Sequence, residues 1–325
     1  MDNISTPKPQ HKFLIKAAIA FFVLLLIFKI FVPPFGQVFN SPQGTVVEVK
    51  KGMGARQVAV LLKSNGIISS ETLFVAVISV FGNENNISAG TYLFKTSVNI
   101  IDAAQTIVHG DFGFAAVKIT IPEGFTVTQI ADRLAHNLAF FKRDEFLALA
   151  STHNGYLYPE TYFFLPSDSE QTIYKKMRDT FDQKTQSLQM DIASSGHSFD
   201  QIVTMASILE REVKSAEDKR IVSGILWNRI KRGMPLQVDA TLAYERDKDS
   251  YTLTSTDLKQ DSPYNTYTRK GLPPTPISNP GFDALFAAVH PEESTYVYFL
   301  TDRDGNVYYA TTYAEHLQNK AKYMK

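Results

Sequence analysis

The sequence predicts an α+β protein, and three observations carry that reading. A strand, a glycine turn and an amphipathic helix occur twice at one constant offset. Beyond Leu138 the chain turns to helical patterning broken by aromatic and Pro/Gly-rich segments. An apolar run near the N-terminus has the length of a bilayer core, about 20 residues. With 325 residues, 44% apolar and 20% charged, the chain has ordinary globular composition and room for two or three domains.

The apolar run extends from Phe13 to Val32, interrupted only by Lys16 and Lys29 and closed by Pro33-Pro34. It reads as a membrane helix, because lysines near a helix end can reach the interface. No small-x-small cleavage site follows it, which favours an anchor over a removed signal peptide. Lys8, His11, Lys12 and Lys16 at its start place residues 1–12 in the cytoplasm and the remaining bulk outside. Residues 33–44, with the polar breaker Asn40-Ser-Pro-Gln-Gly44, form a linker.

In the repeat, Val47-Glu-Val-Lys-Lys-Gly52 with Val58, Ala59 and Leu62 matches Ile119-Thr-Ile-Pro-Glu-Gly124 with Ile130, Ala131 and Leu134. Alternation gives the strand, glycine the turn, and three- and four-residue apolar spacing the helix. Between the copies, Ser70–Phe81 is a predicted helix, Gly90–Phe94 a strand, and Asn99–Val108 a helix opened by Asn99. The β-α-α-β order of the first copy resembles a LysM-like fold, so residues 45–137 are expected to form a small α+β region.

The next stretch contains Asn154-Gly-Tyr-Leu-Tyr-Pro-Glu-Thr-Tyr-Phe-Phe164, where Gly155 and Pro159 break any helix. Its aromatic rings suit either sugar platforms or core, and aromatic content alone favours core. A long helix then starts after a Ser198 cap and runs through Met205-Ala-Ser-Ile-Leu-Glu-Arg-Glu212. At ~100° per residue, Ile202, Met205, Ala206, Leu209 and Val213 share one face, with Glu210 and Glu212 at its two edges. Periodicity does not choose between the two carboxylates. Either could be a buried acid or be paired with Lys214, Arg211 or Lys219.

Ile221–Ile230 is a second amphipathic helix, followed by Leu236-Gln-Val-Asp239, in which a strand-like alternation would put Gln237 and Asp239 on one face. Asp239 could instead cap the helix that begins at Ala240. Ser262-Pro-Tyr-Asn-Thr-Tyr-Thr268 and the Gly271–Gly281 segment, dense in Pro and Gly, read as ordered irregular loops. Amides, hydroxyls and rings beside one acidic helix are what a carbohydrate cleft requires. Equal numbers of basic and acidic residues, 33 each, argue against a nucleic-acid partner. The absence of Cys and the scattering of His11, His109, His136, His153, His197, His290 and His316 argue against a metal or thiol centre, and no cofactor is expected.

At these residues the chain resembles the endolytic murein transglycosylases of the bacterial cytoplasmic membrane. The strings carrying the resemblance are Gly155-Tyr-Leu-Tyr-Pro-Glu-Thr-Tyr162, Ala206-Ser-Ile-Leu-Glu-Arg-Glu212, Asn228-Arg229, Leu236-Gln-Val-Asp239, Tyr264-Asn-Thr-Tyr267 and Gly271-Leu-Pro-Pro274. The resemblance implies a catalytic domain over residues 138–325, facing the periplasmic or extracytoplasmic side, and assigns Glu212 as the catalytic glutamate. Asn228, Gln237, Asp239, Tyr264, Asn265 and Tyr267 are expected to line the cleft or support Glu212, with Glu210 as a supporting or salt-bridged residue. The family usually has Glu where this chain has Asn154, so the role of that carboxylate is either weakened here or taken by Glu160.

The implied reaction is cleavage of the β-1,4 bond between N-acetylmuramic acid and N-acetylglucosamine, leaving a 1,6-anhydro end. Glycosidic hydrolysis generally uses two carboxylates. An intramolecular nucleophile lets one glutamate serve as acid and then base. Peptidoglycan strands are the expected substrate, nascent strands in particular, with peptidoglycan synthases as candidate partners. The competing readings are a non-catalytic membrane-anchored scaffold that binds peptidoglycan, and a hydrolytic muramidase.

Overall fold

The computed structural model describes residues 44–81, 87–95, 98–247 and 252–323. The predicted membrane helix and nearly all of its linker lie outside them, and no helix among the described residues is long and apolar enough to cross a membrane. The chain is mixed α+β and falls into two compact units that divide after Ala115.

The first unit runs β1 (Thr45–Val49), α1 (Ala55–Ser64), α2 (Glu71–Phe81), β2 (Gly90–Phe94) and α3 (Ile100–His109). The two strands pair antiparallel, Thr45 opposite Phe94 and Val49 opposite Gly90. Alternation places Val47 and Val49 inward with Tyr92 and Phe94, and they pack on Val58 and Leu62 of α1 and Ile107 of α3. Asn99 caps α3 as expected, its Oδ1 accepting from Ile101 N and Asp102 N at 3.0 and 2.9 Å. Tyr92, fully buried, donates its hydroxyl to Ser88 O at 2.6 Å, and burial pushes the phenol up to about 12.

The second unit opens with the second copy of the repeat, β3 (Val117–Thr120) and α4 (Val127–Asn137), and continues through α5 (Arg143–Ala150) and β4 (Thr161–Phe164). The sequence drew the domain boundary between residues 137 and 138, whereas the compact units divide before β3. The reason is pairing: β3 lies antiparallel to β4, Val117 opposite Phe164 and Thr120 opposite Thr161. Unlike β1, it therefore finds its partner inside the C-terminal unit. The equivalence of the copies is otherwise physical. Gly52 and Gly124 both take positive φ, 89° and 78°. Gln57 and Gln129 each reach back to the backbone N–H at the helix start, Gly54 N at 3.0 Å and Thr126 N at 2.9 Å.

Seven further α-helices and a hairpin complete the unit among the described residues: α6 (Glu170–Thr185), α7 (Gln189–Ser194), α8 (Phe199–Glu212), α9 (Ala216–Lys231), α10 (Asp239–Glu245), α11 (Phe282–Val289), β5 (Tyr298–Thr301), β6 (Val307–Ala310) and a final α12 (Tyr313–Tyr323). Ser198 caps α8, accepting from Gln201 N at 3.2 Å while Gln201 Oε1 accepts from Ser198 N at 2.9 Å. All eight residues from Ile202 to Leu209 are buried, so α8 is covered on every side rather than on one stripe. What covers its polar side is the Gly271–Gly281 loop: Ile277 N donates to Ser207 Oγ at 3.0 Å and Ser278 Oγ to Ser207 O at 3.0 Å.

The aromatic segment that runs into β4 is mostly core. Leu157, Tyr158, Tyr162 and Phe164 are buried, while Phe163 faces outward at 57% exposure. Gly155 takes φ 93°. A buried asparagine holds this turn: Asn279 Oδ1 accepts from Gly155 N and Leu157 N, both at 2.9 Å, and its Nδ2 donates to Phe125 O at 2.8 Å.

Candidate active site

Helix α8 ends where its buried stretch meets solvent, and the two carboxylates of its last turn have separate fates. Glu210 turns inward. Its side chain is 7% exposed and pairs with Lys219 Nζ of α9 at 2.9 Å, Lys219 itself being 3% exposed. The other oxygen of Glu210 accepts from Gly281 N at 3.0 Å, ahead of α11. Glu210 is thus a structural tie between α8, α9 and the start of α11.

Glu212 is partly exposed. Its Oε1 accepts from Ala240 N at 3.4 Å, and its backbone carbonyl accepts from Thr301 Oγ1 of β5 at 3.2 Å. Burial first, and then the neighbouring Asp239, push the Glu212 carboxyl up to about 7, against the opposing pull of the Ala240 N–H and Arg211. A carboxyl poised there can donate a proton near neutral pH and take one back.

Asp239 is the first residue of α10, with Val238 at the cap position, so it does not cap through its own side chain. Its Oδ1 accepts from the Tyr267 hydroxyl at 2.5 Å. Burial and the Asp239 charge raise the Tyr267 phenol far above its usual range, with Glu212 adding to the effect and Arg229 opposing it. Glu212, Asp239 and Tyr267 therefore occupy one neighbourhood, drawn from three separate stretches of chain.

The strand-like reading of residues 236–239 is corrected. Gln237 has φ 54°, in the left-handed region, which breaks the alternation that would have put its side chain beside that of Asp239. The segment is instead bonded to the Tyr264–Tyr267 turn, with Gln237 N donating to Thr266 O and Val238 N to Thr266 Oγ1, both at 2.9 Å. Gln237 itself is exposed.

The other predicted residues divide. Asn265 is fully buried and spends its amide on the loop, donating to Leu258 O at 3.1 Å and Gln260 O at 2.6 Å while accepting from Tyr267 N at 3.0 Å. It shapes the loop rather than lining a cleft. Tyr264, partly exposed, bonds Thr275 through its hydroxyl at 2.6 Å and lies 5.5 Å, centroid to centroid, from the Tyr244 ring. Asn228 donates to Ser294 O at 3.5 Å. Glu160 pairs with Lys184 at 3.0 Å, both side chains being 43% exposed. Asn154 is buried in the Asn279 network, accepting from Val127 N at 3.1 Å and donating to Pro276 O at 2.8 Å.

Sequence reasoning missed Arg229. Its buried guanidinium donates to Val297 O at 2.8 Å and Leu236 O at 2.6 Å and lies 5.1 Å from the centre of the Tyr298 ring. It therefore fastens the segment carrying Asp239, and β5, to α9. The signal was available: Arg229 stands three, four and seven residues after Leu226, Ile225 and Val222, on the apolar stripe. No group of three or more His, Cys, Asp or Glu among the described residues could hold a metal ion.

A model of the YceG-like family matches residues 47–322. The endolytic murein transglycosylase of Bacillus subtilis (strain 168) is 30% identical over 305 residues, covering 86% of this chain and 84% of that protein. The endolytic murein transglycosylase of Streptococcus pneumoniae serotype 2 (strain D39 / NCTC 7466) is 25% identical over 327 residues, covering 88% of this chain and 59% of that protein. Among solved structures, a yceG-like protein of Listeria monocytogenes matches with TM-score 0.57 and 30% identity, over 85% of this chain and 99% of that one.

Proposed function

This chain belongs to the YceG-like family, and from that premise we propose that it is an endolytic lytic transglycosylase that cleaves peptidoglycan strands, with Glu212 as its acid and base. The observation that carries the assignment is the contrast within α8: Glu210 is consumed by Lys219 and Gly281, whereas Glu212 accepts from Ala240 N at 3.4 Å and has its carboxyl pushed up to about 7. Relatives named as endolytic murein transglycosylases supply the reaction class.

In the first step, protonated Glu212 donates to the glycosidic oxygen as the bond to C1 of N-acetylmuramic acid breaks. The resulting carboxylate then accepts the proton of the C6 hydroxyl while that oxygen closes on C1. The product carries a 1,6-anhydro end, Glu212 is again protonated, and no water is consumed. Proximity of the C6 hydroxyl supplies what a separate nucleophile would otherwise provide.

Asp239 beside Glu212 favours one second reading, a hydrolytic muramidase in which Asp239 activates water. Mass spectrometry of fragments from purified glycan strands separates the two. Anhydro ends from wild type and none from Glu212→Gln support the lyase, products heavier by one water support the hydrolase, and unchanged release from Glu212→Gln refutes the Glu212 assignment. A scaffold that only binds peptidoglycan would release nothing in either form.

The location belongs to the same proposal: residues 13–32 anchor the chain in the bacterial cytoplasmic membrane with the catalytic domain outside, close to strands emerging from peptidoglycan synthases. The Phe13–Val32 composition and the preceding positive charges support it. A C-terminal reporter active only outside the cytoplasm is the expected result, and cytoplasmic activity would overturn the orientation.

A further inference from the structure

The Glu212 carboxyl accepts from the N–H of Ala240, the residue next to Asp239, so the negative charge of Asp239 bears on whether Glu212 keeps its proton. That proton decides whether Glu212 can begin the reaction as an acid. The structure contains a feature that fixes the Asp239 carboxylate in place. The Tyr267 hydroxyl donates to Asp239 Oδ1 at 2.5 Å, a bond that stabilises the charged form of Asp239, because an O–H donor serves a carboxylate better than a carboxylic acid.

This bond is not needed to dock the loop. The Tyr264–Tyr267 turn is already fixed to the segment before α10 by Gln237 N to Thr266 O and Val238 N to Thr266 Oγ1, with the Thr241 and Thr266 hydroxyls 3.3 Å apart. Asn265 Oδ1 separately fixes the backbone of Tyr267 at 3.0 Å. A phenylalanine at 267 would leave all of these in place. The hydroxyl alone is left over, and it is aimed at the carboxylate next to Glu212.

We propose that Tyr267 and Asp239 act as positioning residues that keep Glu212 protonated: the phenol fixes the Asp239 carboxylate, and that negative charge holds Glu212 as the acid. The proposal rests on the reading of Glu212 as the acid and base. The charged and titratable groups facing the pair are Arg211 on α8, which opposes the effect of Asp239 on Glu212, and Arg229 on α9, which faces Tyr267. Arg229 is held by backbone carbonyls and the Tyr298 ring, so its charge has not been spent on a carboxylate in this site. From α10 itself, the Ala240 N–H bonds Glu212 and likewise favours its ionised form.

The test is a 13C NMR titration of the full chain labelled at its Glu and Asp carboxyl carbons, with the two signals assigned by their absence from Glu212→Gln and Asp239→Asn. In Tyr267→Phe the Glu212 midpoint should fall. In Asp239→Asn the Glu212 midpoint should fall part of the way toward about 4.3. The basic limb of the pH profile for release of anhydro-ended fragments should move down with the Glu212 midpoint in Tyr267→Phe, with little change in KM.

A Glu212 midpoint that stays in place in both variants, with wild-type melting retained, overturns the proposal. So does a wild-type Glu212 that titrates at its ordinary value, about 4.3. A wild type with a raised Glu212 midpoint that releases no anhydro ends would instead refute the functional reading and leave the proton assignment standing.

Discussion

Replacing Lys219 by Met removes the cation from the most buried ion pair among the described residues while keeping the length and apolar stem of the side chain. The Lys219 and Glu210 side chains are 3% and 7% exposed, so the remaining carboxylate cannot recover its hydration by a small movement. Glu210 would keep only the Gly281 N–H at 3.0 Å. Its surroundings are otherwise acidic: burial and then the charge of Glu210 already hold the Glu123 carboxyl above its usual range, Asp283 adds to this, and Lys219 is what opposes it. Removing one partner of a buried pair costs about 3–5 kcal/mol. For a unit the size of residues 116–325, 1 kcal/mol moves the melting point by about 2–4 °C, so the expected loss is roughly 6–20 °C.

The assay is calorimetric melting at pH 7.5 of wild type, Lys219→Met, Glu210→Gln and the double variant, taken as a cycle. Glu210→Gln/Lys219→Met should recover at least half of the loss, because a neutral amide leaves no buried charge unpaired. A Lys219→Met protein within about 1 kcal/mol of wild type, the range of a surface pair, would refute the reasoning. A double variant that melts no higher than the single one would refute it as well.

Three further outcomes follow from the same geometry. The folded state raises the Glu212 carboxyl from its ordinary value to about 7, so it binds that proton more tightly than the unfolded chain does, and stability should decline as pH rises from about 4.3 to about 7. Glu212→Gln, which has no proton to lose, should therefore melt higher than wild type at pH 8, by up to about 3 kcal/mol, with the gap closed near pH 4; equal melting at pH 8 contradicts this. A Cβ at Gly224 would lie 2.0 Å from the Glu292 carbonyl oxygen, a backbone atom that cannot rotate away, so Gly224→Ala should cost about 2–3 kcal/mol in denaturant melts. Asn154→Glu should cost about 1–3 kcal/mol at pH 8, because a carboxylate cannot donate to Pro276 O, and part of that should return at pH 5 as the side chain protonates.

The legible parts of this protein are those governed by local chemistry. Alternation in Val47–Val49 and Tyr92–Phe94, the Asn99 and Ser198 caps, and the glycine turns at Gly52 and Gly124 each act over a few residues, and each reappears in the structure where the pattern put it. Long-range pairing was not legible. Nothing local distinguishes β3 from β1, yet β3 finds β4 and leaves the repeat split between two units. The left-handed Gln237 was hidden for a related reason, since its backbone answers to Thr266, a residue far along the chain.

The sequence by itself determined that the chain is α+β, that a carboxylate-bearing helix follows Ser198, and that Glu210 and Glu212 flank its apolar face, because a 3.6-residue period fixes which residues share a side. Periodicity could not separate the two, since both edges of that face look alike until other elements arrive. Only tertiary structure gives them different surroundings, by bringing Lys219 and Gly281 to one carboxylate and Asp239 and Tyr267 to the neighbourhood of the other. The first is neutralised by Lys219, and the second has its carboxyl pushed up to about 7.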